Sequence, residues 1–298
     1  IMKYQVNGRI HGEINQLRGD NGGTVSGRLS MSNPNLQQVP ARNKDFGPKI
    51  RSLFIPEEGF KWGSFDYSQQ EPRMTVHYAA SIGEGYEGSN ELVQAYQNSE
   101  ADFHQTVADL VGIERTQAKT IGLGLMYGMG KNKLAISLGV SKDEADELII
   151  KYNKKVPFVK KLSDRCKFAA DEKGVIRTKK GRKCRFDMWE TRDFGLHIAE
   201  KYEDAVAKYG KNNIKRAYTY KALNRLIQGS SADQTKQSML DCFNEGHLPM
   251  LQIHDELCFN VKDEKHAKEI QKIMQNAIKF KVPSVVDFGL GKSWGDAK

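Results

Sequence analysis

Apolar and polar positions change their period several times along this chain. Through the first sixty residues no period holds, and Gly, Asn, Ser and Pro recur. That pattern predicts turns and short strands, with Ile50 to Ile55 as one β-like piece. From Phe60 to Tyr67 the residues alternate, with Phe60, Trp62 and Ser64 on one side and Phe65 and Tyr67 on the other. Alternation of this kind predicts a strand. Helical spacing begins at Glu71 and continues to about Leu162. Gly174 and Gly181 then supply turn chemistry for a basic hairpin ending near Arg185, and Tyr218 to Phe243 is again helical. Met250 to Val261 predicts two short strands around a tight turn at His254-Asp255. A helical middle between two strand-bearing ends predicts one sheet formed by both ends, with the middle inserted.

Composition narrows the class. Of 298 residues, 39% are hydrophobic and 28% charged, as in ordinary folded domains. No apolar run approaches the roughly 18 to 20 residues that span a bilayer. The chain opens on Ile1 without a signal-peptide pattern, so a cytoplasmic protein is expected. Four cysteines (Cys166, Cys184, Cys242, Cys258) lie far apart with no C-x-x-C pair, which argues against zinc and fits a reducing compartment. The net charge of +9 is concentrated between Lys151 and Arg185, where few acids interrupt the lysines and arginines. Such a stretch suits a polyanion, because phosphate contacts release counterions. A solvated helix face followed by a basic hairpin would read the same way.

Four groups of residues could carry chemistry. Asp66 closes an apolar strand, and Asp255-Glu256 sits at a hairpin tip. Each could be a cap or a solvated turn residue. Brought together in a sheet, they would set like charges side by side, which a divalent cation relieves. Hard oxygen donors favour Mg²⁺, which keeps waters and accepts substrate phosphates. On a helix starting at Arg115, the residues Arg115, Lys119, Leu123 and Tyr127 recur every fourth position and share one face. That face could hold a triphosphate at its cationic end and a base or sugar beyond, or it could simply be solvated. Gly122 and Gly124 disfavour helix by up to about 1 kcal/mol each relative to Ala, and so predict a close approach to this helix. Ser68-Gln-Gln-Glu71 matches a capping box. Asn224, Gln228 and Gly229 put polar groups one turn apart on a later helix.

Together these segments resemble family A DNA polymerases, the group of bacterial DNA polymerase I and many phage replicases. The match runs from about Gly8 to the C-terminus. Thr24-Val-Ser-Gly-Arg28-Leu-Ser with Pro34-Asn35-Leu-Gln37-Gln-Val-Pro40 resembles the primer-template segment, and Asp66-Tyr-Ser-Gln-Gln-Glu71-Pro-Arg73 resembles motif A. Arg115 to Gly128 resembles motif B, and Gln252-Ile-His254-Asp255-Glu256 resembles motif C.

The resemblance implies an α+β fold: an antiparallel-sheet palm (residues 1–73 and 221–298) with inserted helical fingers (74–220), and no thumb. It implies template-directed DNA synthesis from dNTPs on primer-template DNA, with two Mg²⁺ ions that Mn²⁺ can replace. Asp66, Asp255 and the Tyr67 carbonyl would hold the metals, with Glu256 as an acidic helper. Arg115 and Lys119 would bind the triphosphate, with His104 and Gln69 close by. Glu71 would be the steric gate against a ribose 2′-OH, and Tyr127 would stack near the templating position. Arg28, Asn35, Gln37, Arg73, Asn224, Gln228, Gln252 and His254 would contact DNA. Leu123 stands where the family usually has Phe or Tyr, and Thr116 stands where a second Arg is frequent. The resemblance further implies that thumb and exonuclease regions belong to a larger protein or a separate chain, in a bacterium or a phage-infected cell. A single-subunit RNA polymerase and an inactive nucleic-acid-binding fragment are the alternative readings.

Overall fold

The computed structural model describes residues 2–17, 19, 22–40, 43, 45–98, 102–193, 195 and 197–297. They divide into two compact units, Ile1–Arg73 with Gln228–Lys298, and Met74–Ile227. The boundaries fall inside two helices, Gln70–Ala80 and Ala222–Asn244. Among the described residues no helix is long and apolar enough to cross a membrane.

The first unit is built on a four-stranded antiparallel sheet. Its strand order is Pro249–Ile253, Glu256–Val261, Lys61–Tyr67 and Val286–Gly291. The expected pairing of the two chain ends is therefore present, and the Lys61–Tyr67 strand lies between its partners. Side-chain alternation sends Phe65, Tyr67, Leu257, Phe259, Val261 and Val286 to one face. There they meet Ala267, Ile270 and Met274 of the Glu264–Asn276 helix, and Cys242. Trp62 and Cys258 point to the other face, into a cluster with Met31, Leu36, Leu251, Ile253 and Trp294. Trp294 stacks on Trp62 at 5.9 Å between ring centroids. Burying such side chains contributes roughly 1.5–3 kcal/mol each, so both faces of the sheet are stabilised by packing. Gly291 is required here: a Cβ on it would lie 2.6 Å from the Ala297 backbone nitrogen.

The Ile50–Ile55 strand is not formed. Gly47–Arg51 is a short helix with Pro at its start, where the fixed φ of proline favours a first helical turn. Leu53 and Ile55, which made the segment look β-like, are exposed. The Val286–Gly291 strand, by contrast, has no counterpart among the predicted elements.

The second unit is helical at its core, as expected. Helices Phe103–Val111, Arg115–Met126, Lys131–Leu138, Lys142–Lys155 and Pro157–Lys173 surround buried Phe103, Ile121, Leu134, Tyr152 and Phe158. Gly112, Gly139 and Gly174 end three of them in the left-handed conformation that glycine accommodates. Ser141 and Glu144 form a reciprocal capping box on the fourth. The basic hairpin pairs Val175–Arg177 with Lys183–Arg185. A small antiparallel pair, Trp189–Thr191 with Ile214–Arg216, completes the unit.

Candidate active site

The sheet of the first unit brings acids together by register. Asp66 is the sixth residue of its strand, and it lies opposite Glu256 on one neighbour and Asp287 on the other. All three occupy the face that carries Trp62 and Cys258. Asp255 sits in the two-residue turn just before Glu256, after His254 with φ +57°. Carboxylates directly opposite each other repel, by about 0.2–1 kcal/mol per pair in exposed sheets. The titration of the group reflects this. Burial first, then Asp255, Glu256 and Asp287, push the Asp66 carboxyl up to about 7. Burial likewise raises Asp255, and the nearby Arg28 guanidinium partly offsets it.

One of these acids, and Glu71 on the helix that follows Asp66, already have partners. Glu256 accepts from the Trp294 indole at 3.2 Å and from the Cys258 thiol, so a buried aromatic holds it on the sheet. Arg28 donates to Glu71 at 3.0 Å, which ties the loop before Ser30 to the helix that follows Asp66. That helix begins at Gln70, and Gln69 has φ +51°. The Gln69 carbonyl accepts from the Arg73 N–H, so Gln69 occupies the cap position expected of Ser68. Ser68 therefore lies one residue before the N-cap, and Glu71 projects to Arg28.

The donor set fits Mg²⁺. Asp66, Asp255 and adjacent backbone carbonyls are hard oxygens, without a His or Cys among them. Among the described residues no group of three or more His, Cys, Asp or Glu is arranged to hold an ion. An ion at this position would therefore complete its shell with water and substrate oxygens. The Tyr67 hydroxyl points the opposite way, bonded to Ser238 Oγ at 2.5 Å and to the Met274 carbonyl at 2.6 Å. Only its backbone remains available at the acidic face.

The expected DNA-contacting residues of this unit form a polar network. Gln37 donates to Gln252 Oε1 at 2.9 Å, and Gln252 donates to the His254 carbonyl at 2.5 Å. This fixes the turn bearing Asp255 from the strand side. His254 itself is exposed. Asn35 caps the short Leu36–Gln38 helix by accepting from the Gln37 N–H. Arg73 is nearly buried and donates to the carbonyls of Ser68 and Pro283. It braces the acidic strand against the segment that leads into Val286–Gly291. Gln228 is half-buried on its helix.

In the second unit, Arg115 and Lys119 are exposed on the Arg115–Met126 helix, Leu123 is half-buried, and Tyr127 is exposed at its C-cap. The shared face is therefore present. Arg115 donates to Asp102 at 2.6 and 2.8 Å. Asp102 is also the N-cap of the Phe103–Val111 helix. His104, one residue into that helix, is 4% exposed, and burial pushes its pKa down to about 4. Among the described residues its buried Nδ1 has no partner. The close approach predicted by Gly122 and Gly124 comes from the unit's own core. A Cβ at 122 would lie 3.0 Å from the Tyr152 hydroxyl, and one at 124 would lie 3.2 Å from Leu134. Asn224 is half-buried on the later helix.

Asp287 and Asp102 were not among the candidates from sequence. Asp287 is followed by Phe-Gly-Leu-Gly, where two glycines read as turn rather than strand. Asp102 carried the signal of an N-cap but none of a partner for Arg115.

Comparison with known proteins adds family evidence. The profile of DNA polymerase family A matches residues 1–296. A DNA-directed DNA polymerase of Pseudomonas phage M6 is 38% identical over 99% of this chain and 48% of its own length. DNA polymerase DpoZ of Vibrio phage phiVC8 is 31% identical over 100% of the chain and 47% of its own. DNA polymerase I of Pseudomonas aeruginosa is 32% identical over 97% of the chain and 30% of its own length. The chain thus spans half or less of these relatives. Among solved structures, the POL domain of Pol1 from M. smegmatis, in complex with DNA primer-template and dNTP, superposes with a TM-score of 0.77. It shares 28% identity over 99% of this chain and 49% of that one.

Proposed function

The chain belongs to DNA polymerase family A, and on that premise we propose that it carries the catalytic palm and fingers of a DNA-directed DNA polymerase. The observation that supports this most is the cross-strand register that sets Asp66 between Glu256 and Asp287, with Asp255 at the adjoining turn. Like charges held in register repel, and a divalent ion bound between them relieves that repulsion. On this reading the first unit is the palm and the second the fingers.

Asp66, Asp255 and the Tyr67 carbonyl would hold two Mg²⁺ ions, or Mn²⁺ in their place. Bound there, the ions stabilise charge on the attacking and leaving oxygens of an in-line displacement. Glu256, fixed by Trp294, adds negative charge beside them without needing to be a ligand. Arg115 and Lys119 bind the triphosphate of the incoming nucleotide, and Asp102 orients the Arg115 fork until phosphate replaces it. His104 remains neutral near pH 7 and offers a hydrogen bond rather than a charge, with Gln69 as a further polar contact. Leu123 and Tyr127 flank sugar and base. Arg28, Asn35, Gln37, Arg73, Asn224, Gln228, Gln252 and His254 position primer and template, Arg73 and Asn35 through the backbone they brace.

Glu71 excludes a 2′-hydroxyl, and Arg28 keeps its carboxylate in place for that task. Primer extension with dNTPs and rNTPs in parallel tests this function. Wild-type protein should extend with dNTPs only, and Glu71→Ala should gain rNTP incorporation while retaining dNTP use. Equal use of both nucleotides by the wild type would favour an RNA polymerase-like enzyme instead.

A further inference from the structure

We propose that the hairpin of Val175–Arg177 with Lys183–Arg185 is a phosphate-binding surface, by which the second unit grips the DNA backbone. Residues 174–186 hold six lysines and arginines and no acid, and the flanking Glu172 and Asp187 lie beyond the hairpin's ends. The register sets Arg177 directly opposite Lys183 and puts Arg185 on the same face. Ile176 and Cys184 alternate to the other face and are buried, while all three cations are exposed. Lys183 and Arg185 are two residues apart, roughly 7 Å along the strand. Like charges directly opposite each other destabilise a strand pair. Among the described residues no ion pair relieves Arg177, Lys180, Lys183 or Arg185. Bound phosphates would relieve that repulsion and release their counterions.

The preceding Pro157–Lys173 helix differs, although it belongs to the same basic stretch. It carries Asp164, Asp171 and Glu172 among its cations, and Lys160 and Lys161 pair with Asp164 and Glu87. The helix thus brings its own counter-charges, and the hairpin brings none. The hairpin is also held in place from three sides. The Tyr78 hydroxyl accepts from the Lys179 N–H at 3.0 Å. Thr178 closes the turn, its carbonyl accepting from Gly181 and its hydroxyl from the Arg182 N–H. The Arg225 guanidinium lies over the Phe186 ring and donates to the Arg185 carbonyl at 2.7 Å. A backbone fixed in this way presents its cations with less ordering left to do on binding. The choice of DNA as the polyanion rests on the proposed function. Contacts to phosphate position a duplex and read no sequence, so none is read here.

The test is anisotropy of a labelled stem-loop primer-template, titrated with the whole chain at several salt concentrations. Arg177→Gln with Lys183→Gln should weaken binding and lower the salt slope by roughly 1.8, for two phosphates at about 0.9 each. The charge-matched pair Lys265→Gln with Lys272→Gln, on the Glu264–Asn276 helix of the first unit, should leave the slope unchanged. Without DNA the hairpin variant should melt no lower than the wild type, because a repelling cross-strand pair is gone. That separates a lost contact from a lost fold. An unchanged slope in the hairpin variant, or an equal fall in both variants, would overturn the site. Extension at saturating primer-template should proceed in the hairpin variant as in the wild type. A wild type that binds DNA without extending it would refute the proposed function and leave the slope comparison standing, so the two failures are distinguishable.

Discussion

At the scale of single residues, Asp287 makes the sharpest claim. It faces Asp66 across the sheet, on the side away from Glu256, and adds to the repulsion that raises the Asp66 carboxyl. Replacing Asp287 by Asn should stabilise the protein in EDTA by about 0.2–1 kcal/mol, because a like-charge cross-strand pair is removed. The same change should weaken Mn²⁺ binding, read by electron paramagnetic resonance. Equal Mn²⁺ affinity in wild type and variant would remove Asp287 from the site.

His104 gives a pH dependence whose sign can be worked out. Its folded pKa lies below the usual histidine value, so the folded state resists its protonation. The stability it contributes is complete above about 6.5, the ordinary histidine pKa, and is lost as pH falls towards about 4. The loss should be on the order of 2–3 kcal/mol, and His104→Leu should flatten it in urea titrations across that window. A wild-type stability that does not change between those values would show that the imidazole is not held neutral. Leu123 lacks a ring to stack, so Leu123→Phe should speed single-turnover incorporation. An unchanged rate would mean that the position does not limit nucleotide handling.

At the scale of elements, the glycines of the Arg115–Met126 helix show how packing overrides local preference. Gly→Ala in a helix gains up to about 1 kcal/mol of propensity. At Gly122 the new methyl would press on the hydroxyl of Tyr152, a side chain that is fully buried and, among the described residues, without a hydrogen-bond partner. Gly122→Ala should therefore destabilise by about 1–3 kcal/mol. Tyr152→Phe should be neutral or stabilising, since it removes an unsatisfied hydroxyl. The double variant should recover most of the loss, and additive effects in denaturant titrations would contradict the contact.

Legibility followed the same logic. The Lys61–Tyr67 strand and the hairpin at Asp255 were readable because each alternates cleanly between two packed faces. The Val286–Gly291 strand was not, because two of the positions that alternate with Val286, Phe288 and Leu290 are glycines, which read as turn rather than strand. Gly47–Arg51 misled because its apolar neighbours Leu53 and Ile55 remain at the surface. Glu71 was legible as an acid near Asp66, but its bond to Arg28 depends on a contact 43 residues away. No local pattern encodes such a contact.

At the scale of the whole molecule, the sheet of one unit gathers the acids, while the other unit carries the cationic helix and the basic hairpin. A net charge of +9 concentrated in this way predicts a steep fall of DNA affinity with salt. The central claim is that Asp66 and Asp255 serve nucleotidyl transfer. Single-turnover extension of a labelled primer-template, with excess protein, Mg²⁺ and dNTPs, tests it most directly when Asp66→Ala and Asp255→Ala run beside the wild type. The wild type should extend, and each variant should lose roughly a thousand-fold in rate while still binding the DNA. Extension that survives in either variant would contradict the assignment of catalysis to these two aspartates.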